Sequence, residues 1–198
     1  MPDLKETTLK IGRAAIGLFP TGSVVSEFFT TPKEKRLQSY LEAFDVLVQK
    51  LENMHDISAG NLAKRDDFLD VLYGTTHLWL VTSDSEKLKS IFSFLENVAV
   101  NPSADDGIDT IVLRTLRDLS GTHIFLMEKF AEHPRYTGTQ EFSDIAGRRD
   151  YNPDWSIILN DLLNMGILGK EEGLSPKGKA ILKRITITSD TGTKPDAP

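Results

Sequence analysis

Apolar positions recur at helical spacing through most of the chain. Leu37, Tyr40, Phe44, Leu47, Leu51 and Met54 follow one another at alternating intervals of three and four, and Leu41 and Val48 widen the stripe. This predicts a long helix over residues 32–54 with a broad buried face. Its start is marked by Thr31-Pro32-Lys33-Glu34. Thr31 can cap, Pro32 suits the first helical position, where no N–H is needed, and Glu34 can close a capping box. The heptad-like spacing lasts under three and a half heptads, so bundle packing is expected and not a coiled coil.

Phe68, Leu72, Thr76, Trp79 and Leu80 predict a second helix over 66–81. Ser83-Asp84-Ser85-Glu86 reads as a capping box opening a third, through Leu88, Ile91, Phe92, Leu95 and Val98. The stretch 101–107 breaks the pattern. Ile108, Ile111, Val112, Leu116, Leu119, Leu126 and Phe130 then predict one long helix, bent at Ser120-Gly121. A short helix is expected over 139–145. Asn152-Pro153-Asp154 starts another, with Trp155, Ile158, Leu159, Leu162, Leu163 and Met165 as its apolar set. Two β-prone pieces around Glu172-Gly173 predict a small hairpin. Ser175-Pro176-Lys177-Gly178 caps a final helix through Ala180, Ile181 and Leu182, and the β-branched run 185–188 reads as a further strand. Residues 189–198 hold no large apolar side chain and read as a disordered tail.

The string Leu162-Leu163-Asn164-Met165-Gly166-Ile167-Leu168, a short hairpin, then Leu174-Ser175-Pro176-Lys177-Gly178 resembles the end of a winged-helix domain. In that family a Gly-Ile or Gly-Leu pair ends the third helix, the wing follows, and a Ser-Pro segment closes the domain. The resemblance covers about 110–188 and implies DNA binding as one function. The residues argue against it. The third helix, about 154–165, holds no Lys or Arg, and Asp154 and Asp161 would repel phosphate. Arg148, Arg149, Lys170, Lys177 and Lys179 are the candidate nucleic-acid contacts, on condition that they share a face.

A second resemblance lies at the other end. The small-residue-rich run 11–29, with Gly12, Gly17, Pro20 and Gly22, leads through Glu27-Phe28-Phe29 into Pro32 and Glu34-Lys35-Arg36. It is similar to the opening of a set of uncharacterised bacterial helical proteins, which implies a bacterial origin and a helical fold. The part before Pro20 would cover about 13 Å of a roughly 30 Å hydrocarbon layer, and Arg13 and Glu27 add cost. The run is therefore expected to pack in a soluble bundle; contact with a membrane through it is the alternative.

With 39% hydrophobic and 26% charged residues, the 198-residue chain has the composition of a folded protein. A net charge of −6 argues against a polybasic binder of nucleic acid or membranes, although residues 135–188 carry a net +1. The absence of cysteine excludes disulfides and thiolate chemistry. No basic-then-apolar leader opens the chain, so a cytoplasmic location is expected. Asp66-Asp67-Phe68-Leu69-Asp70 and Asp105-Asp106-Gly107-Ile108-Asp109 share the D-D-x-x-D spacing of Mg²⁺-diphosphate sites, but both sit at predicted helix starts, where Asp favours the dipole. His55, His77, His123 and His133 form no metal-binding pair, and His123 falls on an apolar face as a core histidine. No phosphate-binding loop or nucleophile elbow is present.

These readings combine into a mostly α protein. A helical bundle over 1–104 precedes a winged-helix-like module with a small hairpin over 105–188, and a tail over 189–198. The expected function is non-catalytic: a bacterial interaction or regulatory protein binding a protein partner. A DNA-binding winged-helix regulator and a membrane-active helical effector are the alternatives. No catalytic residue, cofactor or metal is assigned.

Overall fold

The computed structural model describes residues 32–103, 106–133, 155–169 and 173–186. The apolar run 11–29, the expected helix 139–145, Arg148, Arg149, Lys170 and the tail 189–198 lie outside them. Eight helices are found among the described residues: α1 (Pro32–His55), α2 (Ala59–Leu62), α3 (Asp66–Val81), α4 (Ser85–Val100), α5 (Asp106–Asp118), α6 (Gly121–Glu132), α7 (Trp155–Asn164) and α8 (Pro176–Ile185). The mostly α architecture expected from periodicity is what forms. No described helix is long and apolar enough to cross a membrane.

The stripe on α1 is buried as its spacing requires: Leu37, Tyr40, Phe44, Leu47, Val48 and Leu51 all face inward, while Met54 is exposed. The helix ends where Asp56 takes a left-handed φ of 54°, which Asp tolerates better than most residues. Ile57 N then donates back across the helix end to Leu51 O at 3.2 Å. The short α2 follows, capped by Ser58, whose Oγ accepts from Asn61 N at 3.2 Å. Four residues show no periodicity, so α2 had no signature in the apolar pattern.

Helix α4 is central and packs against α1, α3, α5, α6 and α8. Ile91, Phe94, Leu95 and Val98 on α4 meet Phe68 and Leu72 of α3, Val112 and Leu116 of α5, Leu126 and Met127 of α6, Leu162 of α7 and Ile181 and Ile185 of α8 in one buried cluster. The cluster draws on both 1–104 and 105–188. Each large side chain so buried contributes roughly 1.5–3 kcal/mol relative to exposure, and this offsets the backbone entropy that short helices cannot recover alone.

Three boundaries differ from expectation. Asp84, not Ser83, caps α4: its Oδ1 accepts from Glu86 N at 3.0 Å and Lys87 N at 3.2 Å. The long helix expected over 108–130 is divided, because Ser120 adopts an extended backbone (φ −92°, ψ 169°) and starts α6 as its N-cap. The strand expected over 185–188 does not begin at Ile185, which is the last residue of α8; Thr186 N still donates to Leu182 O at 3.0 Å. Residues 187 and 188 lie outside the described residues.

The start and end of α7 and α8 follow their local signals. Gly166, at φ 68°, terminates α7, with Ile167 N bonded to Leu162 O at 2.9 Å. Ser175 Oγ accepts from Gly178 N at 3.0 Å and caps α8. Between them, the described residues hold one isolated antiparallel bridge, Leu168 to Leu174, and no strand, so the expected hairpin is not formed among them. Gly169 N donates to Gly173 O at 2.8 Å inside the bridge, and residues 170–172 lie outside the described set.

Two arginines close helix ends at long range. Arg65 donates to Ala99 O at 2.7 Å and Val98 O at 2.8 Å, satisfying carbonyls at the C-terminus of α4. Asp67 steadies it through Nε and Nη2, and the Arg65 guanidinium holds the Asp67 carboxyl below its usual range. Arg184 on α8 forms a bidentate pair with buried Asp109 of α5, at 2.7 to 2.9 Å, and donates to Asn101 O at 2.8 Å. One member of each D-D-x-x-D run is thus held by an arginine.

Candidate functional site

Helix α7 has ten residues, and Leu159 and Leu162 anchor it in the core. Its opposite side is formed by Leu163, Ser156, Asn160, Asn164 and Ile157. At about 100° per residue these span about 120° of the circumference. All five are exposed, Ile157 to 58% and Leu163 to 40%. None is charged. The solvent face therefore pairs two aliphatic side chains with three that can donate or accept hydrogen bonds.

Of the candidate nucleic-acid residues, Lys177 and Lys179 are among the described residues. Lys177 Nζ donates to Met165 O at 2.7 Å, where the partial negative charge at the end of α7 favours a cation. Lys179 is exposed, but two residues along a helix point in different directions, so Lys177 and Lys179 share no face of α8. Arg148, Arg149 and Lys170 lie outside the described residues.

Behind α7 lies a polar node that sequence reasoning did not assemble. Ser120 and His123 form a capping box: His123 N donates to Ser120 Oγ at 3.4 Å, and Ser120 N donates to His123 Nδ1 at 3.1 Å. Nδ1 is therefore an acceptor and the neutral ring carries its proton on Nε2. Nε2 is buried without a hydrogen-bond partner among the described residues and faces Asp161 Oδ2 of α7 at 3.7 Å, an electrostatic contact and not a hydrogen bond. Burial pushes the imidazole below its ordinary pKa; Asp161 opposes that and Lys87 adds to it. The core histidine expected at 123 is thus largely buried, with one nitrogen satisfied and the other not.

Lys87 and Asp84 complete the node. Lys87 Nζ donates to Arg117 O at 2.9 Å, at the end of α5, and burial lowers its pKa against the pull of Asp84 and Asp118. The set contains a serine, a histidine and an aspartate, but the ring is turned the wrong way for nucleophile activation. In that chemistry Nε2 serves the hydroxyl and Nδ1 the carboxylate; here the hydroxyl contacts Nδ1 at 2.7 Å and caps a helix. No group of three or more His, Asp or Glu side chains able to hold a metal forms among the described residues.

Compared with family models, with curated proteins and with solved structures, the chain matches none of them.

Proposed function

We propose that the chain is a non-catalytic interaction or regulatory protein that binds a protein partner through the solvent face of α7, with 105–188 as a winged-helix-like module. The carrying observation is the uncharged, partly aliphatic face of Ile157, Asn160, Leu163 and Asn164. Protein interfaces are depleted in charge at their centres, whereas a phosphate-binding surface needs several cations. The bridge after α7 and the Ser175-Pro176 start of α8 support the module reading. The N-terminal resemblance supports a bacterial origin and a helical fold.

The test is affinity capture from the native cell with wild type and with Ile157→Asp/Leu163→Asp. Both positions are exposed, so circular dichroism should report an unchanged melt. A partner held by wild type and lost by the variant supports the reading; an identical captured set sinks it. Duplex binding tighter than micromolar at about 0.15 M salt, weakened by Arg148→Ala/Arg149→Ala, would replace it with the DNA-binding alternative.

A further inference from the structure

Helices α3 and α5 approach closely at Gly74, where a Cβ would lie 2.9 Å from Leu113 Cδ1. Beyond that contact they leave a cleft of about 360 Å³, open to solvent. Gly74, Leu78 and Leu113 make its apolar floor. Tyr73, His77, Arg114 and Arg117 make its rim. Tyr73 and His77 are one helical turn apart on α3, as Leu113 and Arg117 are on α5, so two parallel strips of side chains border the opening. Tyr73 is exposed to 64%.

The rim is cationic in a chain of net charge −6. No acidic residue lines the cleft. Arg114 and His77 have no ion pair among the described residues, and the Arg117 contact with Asp118 is 3.8 Å long between two exposed side chains, a weak interaction in water. Arg114 and Arg117 are like charges three residues apart on one helix, which is unfavourable until an anion lies between them. Exposed tyrosine and arginine beside an apolar floor are the residue types that dominate binding energy at protein interfaces. The volume is at the small end of ligand pockets, roughly 300–1,000 Å³, and one side is open. It suits a single side chain delivered by a chain that continues outside it.

We infer that this cleft docks an acidic peptide segment of a partner protein: an aromatic or large aliphatic side chain enters over Gly74 and Leu113, and the carboxylates flanking it meet Arg114 and Arg117. This surface is separate from the face of α7, so the two readings stand or fall independently.

Fluorescence anisotropy of the full chain tests it with three labelled peptides. One has Glu residues flanking a central Phe, one has the Phe replaced by Ser, and one has the Glu residues replaced by Gln. The first should bind, more weakly at high salt, and at least about tenfold more tightly than either control. Arg114→Gln/Arg117→Gln should weaken it about tenfold or more with an unchanged melt, while Lys89→Gln should bind as wild type. Amide shift perturbations in wild type should centre on Tyr73, His77 and Leu113, a readout independent of the variants. Absence of binding, equal binding of all three peptides, insensitivity to the arginine pair, or perturbations centred elsewhere would each overturn the inference.

Discussion

Asp84 Oδ2 accepts a hydrogen bond from Gly121 N at 2.6 Å, while Oδ1 of the same carboxylate caps α4. One anion thus serves the N-terminal ends of α4 and α6, both of which carry partial positive charge. The closeness explains the glycine: a Cβ at 121 would lie 2.2 Å from Asp84 Oδ1.

Gly121→Ala should therefore destabilise by about 1–3 kcal/mol, as overpacking does. Asp84→Ser should cost about 1 kcal/mol or more, because it weakens the cap and leaves Gly121 N without its acceptor. The two effects should be strongly non-additive, since the clash needs the carboxylate. Urea denaturation of both single variants and the double variant checks this; simple additivity would show that the contact is not formed.

The Arg184–Asp109 pair ties α8 to α5, with side chains only 14% and 9% exposed. Removing one partner, by Asp109→Asn or Arg184→Met, should cost about 3–5 kcal/mol, because it leaves a buried group unpaired. Asp109→Leu with Arg184→Met should cost less than either alone. Arg184→Lys should not rescue, because an ammonium cannot reproduce the bidentate fork. Chemical denaturation of the four variants decides it.

Acidification should loosen the node at His123. Its folded-state pKa is lowered by burial, so the unfolded chain binds the proton more readily. The associated stability is fully present above the unfolded value, about 6.5, and is lost as pH falls from there through the lower folded value. The urea midpoint of wild type should drop between about pH 7.5 and about pH 5.5, above the range in which Asp67 titrates. His123→Gln should flatten that drop; an equal drop in both proteins would exclude His123 as its source.

Two glycines should respond in opposite directions to alanine. At Gly178 a Cβ would meet Ile167 O at 2.2 Å, and a backbone carbonyl cannot step aside, so Gly178→Ala should cost about 1–3 kcal/mol. At Gly60 the nearest atom would be Ser58 Oγ at 3.9 Å, so Gly60→Ala should gain about 0.4–1 kcal/mol by restricting the unfolded chain. Melting temperatures of the two variants report the signs.

Helix α3 forms over the same residues that its spacing of Phe68, Leu72, Thr76 and Trp79 predicts, and α1 and α8 start at their Pro residues. The α7 apolar set, the end at Gly166 and the Ser175 cap were also legible. All of these depend on residues within about one turn of each other, and such interactions are written in the order of the chain. The uncharged composition of the α7 face was legible too, in the lack of Lys and Arg. Other features were not. Ser83 and Asp84 are both competent caps, and the bond that Asp84 also accepts from Gly121 N, 37 residues away, is invisible in the local pattern. Arg65 closes α4 from a distance of 34 residues, and Arg184 finds Asp109 across 75. The cleft at Gly74 exists only because α3 and α5 are brought side by side around α4. Local sequence determines where a helix starts and stops, because a cap and a turn are satisfied by near neighbours. Which distant charge answers a buried carboxylate or an open carbonyl is decided by packing, because only the assembled core removes the water that would otherwise satisfy each of them.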